Sequence, residues 1–332
     1  MEKDYTEFFH HKRVLITGGL GFLGSTLALK LVACGAQVTL LDGLIEDLGA
    51  NFFNIEPIKD EVEIVIAHLS DRAATDYHVQ DKDLIFNIGM HSSHLDSMKR
   101  PLYDLETNII PQLQFLESIR YNNPEAMVLY VGSRAQFGKV KKFPINENTP
   151  LAPADIYAAG KQLVEYYHFL YQDICGLRPI SLRLGNTYGP RHQMKHAKYG
   201  VQNYLIRLAL DGEQIQVFGE GQQLREMIFV DDVIDALLLL VMNEQTIGHY
   251  YCIGVDEKIS FLELVKTIIS VCGNGSYQHV PWPEERKVIE VGDVQTDFSK
   301  LSNLTDWKPT TPLREGLRRT ADFYKQYKSY YW

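Results

Sequence analysis

Several things are scarce in this chain of 332 residues, and each scarcity removes a class of function. The four cysteines, Cys34, Cys175, Cys252 and Cys272, lie far apart, without the paired spacing of a zinc site or a disulfide framework. They read as reduced, mostly buried thiols of a cytoplasmic protein. Positive charge is short: 33 Lys and Arg against 42 Asp and Glu leave a formal net charge of -9. A broad basic surface for nucleic acid is therefore not expected. No apolar run is long enough to span a bilayer, and residues 1–12 are polar and charged without a signal core. No membrane partner is expected. Repeats and low-complexity tracts are also missing. What remains, 45% hydrophobic and 23% charged, is an ordinary globular chain with room for one large domain or two modest ones.

An acidic protein that takes a phosphorylated ligand must rely on helix N-termini and single arginines, and the first such device comes early. The apolar run Val14-Leu15-Ile16 leads into Thr17-Gly18-Gly19-Leu20-Gly21-Phe22-Leu23-Gly24, after which Leu27, Leu31 and Val32 recur at helical spacing until Gly35. Strand, glycine turn and helix together let backbone N–H groups and a helix dipole approach a pyrophosphate. The next strand, Gln37-Val38-Thr39-Leu40-Leu41, ends in Asp42. A carboxylate there suits the adenosine ribose hydroxyls and would repel a 2′-phosphate, so NAD is expected over NADP.

Further strands are predicted at 62–67, 84–88, 127–131 and 180–184, with helices at 102–121 and 156–175 between the later ones. Pro111 should kink the first of these helices or mark its restart. Such alternation makes an α/β protein with a doubly wound parallel sheet, whose ligands sit at the carboxyl ends of the strands. Asp42, Ser133 and Asn186 each follow a predicted strand and should face one crevice. Beyond 186 the pattern loosens into a smaller α+β lobe, with helices at 204–210, 233–242, 261–271 and 313–327 and short strands at 215–218 and 225–230.

Within Asp155-Ile156-Tyr157-Ala158-Ala159-Gly160-Lys161, Tyr157 and Lys161 are one helical turn apart on the same face. A phenol titrates near ~10, and one cation about 4 Å away at an effective dielectric of ~20 supplies roughly the ~4 kcal/mol that brings it near neutrality. Lys161 is thus expected to poise Tyr157 as an acid/base.

The glycine turn, Ser133 and the Tyr157/Lys161 pair resemble an extended short-chain dehydrogenase/reductase. Within that superfamily the similarity is to the NAD-dependent nucleotide-sugar epimerase/dehydratase family, of the UDP-glucose 4-epimerase type. It runs from about Val14 to about Tyr324. Further matching stretches are Ser93-His94-Leu95-Asp96-Ser97-Met98, Arg183-Leu184-Gly185-Asn186-Thr187-Tyr188-Gly189-Pro190-Arg191, the run from Arg225 to Asp232, Asp297-Phe298-Ser299-Lys300 and Trp307-Lys308-Pro309. The resemblance implies a Rossmann-type NAD-binding domain over 1–185, with 225–245 returning to it, and a substrate lobe over 186–332. Ser133, Tyr157 and Lys161 would be the catalytic set. Gly18, Gly21, Phe22, Leu23, Gly24, Asp42, His68, Leu69, Asn87 and Ile88 would line the cofactor, with Lys161 also on its ribose and Asn108 positioning Lys161. His68 and Leu69 stand where the family usually has an Asp after the third strand, and Asn87-Ile88-Gly89-Met90-His91 replaces the common Ala-Gly-Gln type of run. A nucleotide-diphosphate sugar would meet Asn186 and Arg225 at its diphosphate, Gln216 and Phe218 at its base, and His94, Ser133 and Arg134 in the cleft. Arg286 or Lys287 would add a second cation. The helices at 102–121 and 156–175 would pair with their copies in a homodimer, using Leu163, Tyr166, Tyr167 and Leu170.

The pairs His192/His196 and His91/His94 have metal-like spacing, but no carboxylate or Cys completes either set. They are read as polar lining of the cleft, and no metal is expected. The leading expectation is an NAD-dependent 4-epimerase. Its rival within the family is a 4,6-dehydratase or uronate decarboxylase, which carries acids just after the residue matching Ser133. This chain has Arg134-Ala135-Gln136-Phe137 there, so Asp96 is the nearest candidate acid. A non-catalytic NAD-binding regulator is the remote alternative, since such proteins typically lose the Tyr/Lys pair.

Overall fold

The computed structural model describes residues 5–284, 287, 290 and 292–332. Its frame is one parallel sheet built from β1 (Arg13–Thr17), β2 (Gln37–Asp42), β3 (Glu63–Ile66), β4 (Leu84–Asn87), β5 (Met127–Ser133), β6 (Arg178–Leu184) and a late strand, His249–Cys252. The spatial order is His249–Cys252, β6, β5, β4, β1, β2, β3. The chain leaves β1 toward β2 on one side and returns through β4 on the other, which opens a crevice at their carboxyl ends.

Both faces of the sheet are covered, and the strand period of two decides which core each side chain joins. Val14, Ile16, Val38, Leu40, Leu84, Phe86 and Leu129 enter the larger core. Leu15, Leu41, Ile85 and Val128 enter the smaller one on the opposite face. On the larger side lie α2 (Phe22–Ala33) and, further along the chain, the helix Val230–Val241, buried along ten of its twelve residues.

α3 (Arg72–His78), α4 (His94–Lys99), α5 (Pro101–Asp104), α6 (Ile110–Asn122) and α7 (Ile156–Cys175) follow in order after the short N-terminal α1 (Tyr5–Phe9). The expected interruption around Pro111 is present, and its form is a π-turn over Leu105–Ile109 with Pro111 in the first turn of α6. α7 starts where Asp155 caps the Ala158 N–H at 2.8 Å and stops at Gly176 in the left-handed conformation. Leu102, Leu105 and Ile110 on the first helical stretch, with Leu163, Tyr166 and Ile174 on α7, are exposed apolar side chains.

The segment after β6 forms short paired strands: Asn186–Tyr188 with Met227–Phe229, Gln214–Phe218 with Ser276–Val280, and Leu224–Arg225 with Ile259–Ser260. The strand expected to return to the main sheet near 225–230 instead pairs with Asn186–Tyr188, while the helix after it does cover the sheet. The seventh sheet position goes to His249–Cys252, beside β6. Trp307 donates its indole N–H to the Asp232 carbonyl, and the Asp232 carboxylate accepts the Thr310 and Thr311 N–H groups, which fastens the C-terminal segment to that helix. No helix among the described residues is long and apolar enough to cross a membrane.

Candidate active site

A cavity of about 610 Å³ opens along the carboxyl ends of the strands. At one end the glycine turn closes on itself. A Cβ on Gly24 would lie 2.2 Å from the Gly18 carbonyl oxygen, and one on Gly18, at φ +69°, would lie 2.8 Å from the Gly89 Cα. Only glycines let β1, α2 and the loop after β4 approach so closely. α2 begins at Gly21 without a side-chain cap, so its first-turn N–H groups are free to meet an anion. Asp42 accepts the Leu20 N–H at 3.0 Å and the Leu44 N–H at 2.9 Å. Burial raises its pKa while those two bonds pull the other way. Its oxygens retain acceptor capacity for hydroxyls. Phe22, Leu23, His68, Leu69 and Ile88 line the same end. The cradle, the uncapped helix and the carboxylate fit a dinucleotide.

Ser133, Tyr157, Lys161 and Asn108 meet at the middle of the cavity. The Ser133 hydroxyl is near enough to the Tyr157 phenol to pull its pKa down. Lys161 Nζ donates to the Val131 carbonyl at 2.9 Å and lies 5.0 Å from the Tyr130 ring centre. The electrostatic expectation for the pair needs correction. Burial pushes Tyr157 up to about 12, opposed by the Ser133 hydroxyl, and Lys161 does not offset it. Burial likewise draws Lys161 down to about 7, against the pull of Glu165. Desolvation penalises both charged forms, and here it outweighs what one turn of spacing was expected to supply. Asn108 bonds to the loop after β4. Its side chain clamps the His91 backbone, accepting from N–H at 2.7 Å and donating to the carbonyl at 3.2 Å.

Behind Ser133 lies a buried network no local pattern announces. Gln136 Oε1 accepts the Ser133 N–H at 2.7 Å, and Gln136 Nε2 donates to Glu165 at 3.0 Å. Glu165 also takes Ser181 Oγ at 2.6 Å and the Arg183 guanidinium at 2.7 Å. The network fixes the turn that holds Ser133 and Arg134. Beside Tyr157, His94 Nδ1 lies 2.6 Å from Asp155 Oδ2, and its ring stands edge-on to the phenol at 4.9 Å.

At the far end Asn186, Phe218 and Arg225 line the cavity, and Arg134, next to Ser133 in the chain, lies near Arg225. Phe218 is joined by Trp282, 5.4 Å away between ring centres. Arg225 is engaged within the protein: Nη1 donates to the Gly292 carbonyl at 2.7 Å and Nη2 to Glu290 at 2.8 Å. Sequence reasoning did not find Trp282 or Glu290. The run Pro281-Trp282-Pro283 was the available signal for the first, whereas nothing local marks Glu290.

Three expected residues are not at the cavity. Asn87 is buried and turned inward, because Thr17 is its register partner on β1 and donates to Asn87 Oδ1 at 3.0 Å. Gln112 and His168 complete that cluster on the same face. Gln216 is exposed, since strand alternation gives the interior to Ile215 and Val217. Lys287 is exposed and does not line the cavity, and Arg286 lies outside the described residues. The four histidines of metal-like spacing are otherwise occupied or apart: His91 Nε2 lies 2.6 Å from Tyr199 Oη, His94 pairs with Asp155, and His192 Nδ1 donates to the Gln193 carbonyl at 2.8 Å. The His196 ring stands edge-on to Tyr199.

Comparison with known proteins gives a consistent answer. The UDP-glucose 4-epimerase of Mycolicibacterium smegmatis is 29% identical over 317 residues, covering 94% of this chain and 98% of that protein. UDP-glucuronic acid decarboxylase 1 of Danio rerio is 30% identical over 329 residues, covering 95% of this chain and 73% of that protein. The crystal structure of UDP-glucose 4-epimerase from Thermus thermophilus, a complex with NAD, superposes with a TM-score of 0.84 at 26% identity, over 94% of this chain and 99% of that one. Residues 14–254 match the family model itself, and the chain belongs to the NAD dependent epimerase/dehydratase family.

Proposed function

We propose that this enzyme is a nucleotide-sugar 4-epimerase acting on a UDP-hexose or UDP-hexuronate. The observation that carries the reading is the state of the acids. Among the described residues lining the cavity the carboxylates are Asp42, Asp155 and Glu290. Asp42 sits at the cofactor end, Asp155 holds His94, and Glu290 holds Arg225. Asp96 pairs with Lys198 at 3.1 Å and is not part of the lining. A dehydratase needs a free acid and base beside the sugar to expel water. Here Arg134 and Ala135 follow Ser133 instead.

NAD, held by the glycine turn, the α2 N-terminus and Asp42, supplies a hydride acceptor and a positive charge that favours the phenolate. Tyr157 takes the proton of the C4 hydroxyl, and the Ser133 hydroxyl holds that oxygen in line. Lys161, anchored on the Val131 carbonyl, keeps a cation near the centre when protonated and binds the nicotinamide ribose. Asn108 fixes the loop at His91 that borders the cofactor. Asn186 and Arg225 serve the diphosphate, and Phe218 with Trp282 the base. With the ketone turned over in the site, the hydride that NAD would have taken returns to the other face of C4 and Tyr157 returns the proton to its oxygen, which gives the C4 epimer.

The His94–Asp155 pair favours a second reading, a dehydratase or decarboxylase in which the imidazole is the extra acid/base. Tyr157→Phe tests the leading one. Turnover should fall roughly 10²-fold or more while NAD stays bound. Near-normal turnover would remove Tyr157 from the mechanism. The exposed apolar side chains of α7 and its neighbour support a homodimer built on those helices, and the lack of a disulfide among the described residues fits a cytoplasmic setting.

A further inference from the structure

Arg134 is a charged group of the cavity wall whose chemistry the epimerase reading leaves unused. It follows Ser133 directly and lines the cavity, and its Nε is sealed from solvent with no hydrogen-bond partner. Among the described residues no hydrogen bond or ion pair involves its guanidinium. Burial and the nearby Arg225 draw its pKa down to about 10, while Glu226 and Glu290 oppose the fall. Those two carboxylates do not satisfy it. Glu290 is bonded to Arg225, and Glu226 accepts the Thr296 N–H at 2.7 Å. A guanidinium presents a planar fork of donors that matches a carboxylate, and leaving its sealed Nε unpaired is costly.

Two anionic groups of a nucleotide sugar could fill that fork, and position separates them. Ser133 stands beside Tyr157, where the epimerase reading puts the C4 hydroxyl. In a pyranose the diphosphate hangs from C1, across the ring from C4, whereas a C6 carboxylate hangs from C5, next to it. Arg134 adjoins Ser133 in the chain, on the C4 side of the sugar, and also lies near Arg225. We propose that Arg134 binds a carboxylate on the sugar, so that the substrate is a UDP-hexuronate and not a neutral UDP-hexose. The inference rests on the epimerase reading and narrows it.

Binding to the NAD-loaded protein tests it, in a Tyr157→Phe background that prevents turnover. By titration calorimetry, UDP-glucuronate should bind about tenfold to a hundredfold more tightly than UDP-glucose. Arg134→Gln should bring the two within about threefold, with the dissociation constant of UDP alone changed less than about twofold. Arg134→Lys, which keeps the charge beside Glu226 but loses the fork, should retain part of the preference and guards against a variant that fails to fold. Equal or tighter binding of UDP-glucose by the parent would overturn the proposal. So would binding of neither sugar nucleotide, or an Arg134→Gln loss as large for UDP as for UDP-glucuronate, which would make Arg134 a diphosphate contact. The unmodified enzyme separates the two readings. Epimerisation of UDP-glucose but not UDP-glucuronate sinks this proposal alone, whereas carbon dioxide released from tightly bound UDP-glucuronate sinks the epimerase reading and leaves the carboxylate contact standing.

Discussion

The Lys161 ammonium is held by the Val131 carbonyl at 2.9 Å, at the end of β5, and not by the phenol one turn away from it. It is buried, and its pKa falls from 10.5 to about 7. Between those values the unfolded chain binds a proton that the folded protein lacks, so stability rises as pH climbs from about 7 toward 10. For this group alone the rise amounts to about 5 kcal/mol across the window. Urea denaturation of the NAD-free protein at pH 7 to 10 should show it, and Lys161→Met should flatten most of it. Parallel pH profiles for the two proteins would contradict the assignment.

Asp42 does two jobs, bracing Leu20 and Leu44 and facing the cavity. NAD should bind much more tightly than NADP. Asp42→Asn, which removes the charge but keeps the shape, should narrow that gap. Asp42→Ala should narrow it too and also cost stability, roughly 1–3 kcal/mol for each buried N–H left without a partner. Titration calorimetry with both cofactors decides. Equal affinities in the unmodified protein would remove Asp42 from cofactor selection.

The apolar side chains left exposed on α7 and the helix beside it are large, with Leu102 at 72% exposure and Tyr166 at 62%. Light scattering at micromolar concentration should return twice the chain mass, and Tyr166→Arg should shift it toward the monomer. A monomer mass for the parent would exclude these helices as a standing interface.

What was legible in the sequence was local. The glycine turn, the one-turn spacing of Tyr157 and Lys161 and the extent of α7 depend on residues a few positions apart, so the sequence places them well. Direction across the sheet was harder. Asn87 ends a strand, as a cofactor residue would, but its register partner Thr17 and the overlying Gln112 claim its side chain. The strand His249–Cys252 escaped notice because four residues carry little pattern, and its place beside β6 is a long-range fact. The poise of Tyr157 failed for an electrostatic reason: spacing on a helix says nothing of burial, and burial decides both pKa values. The Gln136–Glu165–Arg183 network joins three separate elements, and only the fold brings them together.

The most direct test of the central claim is the product formed in deuterated water. UDP-glucuronate and UDP-glucose, each incubated with the NAD-loaded enzyme, would be followed by proton NMR. Epimerisation by hydride removal and return at C4 predicts the C4 epimer with hydrogen, not deuterium, on its ring carbons. A 4-keto-6-deoxy sugar, released carbon dioxide, or deuterium at C5 would instead show that an acid/base beyond Tyr157 acts on the sugar, and would contradict the account.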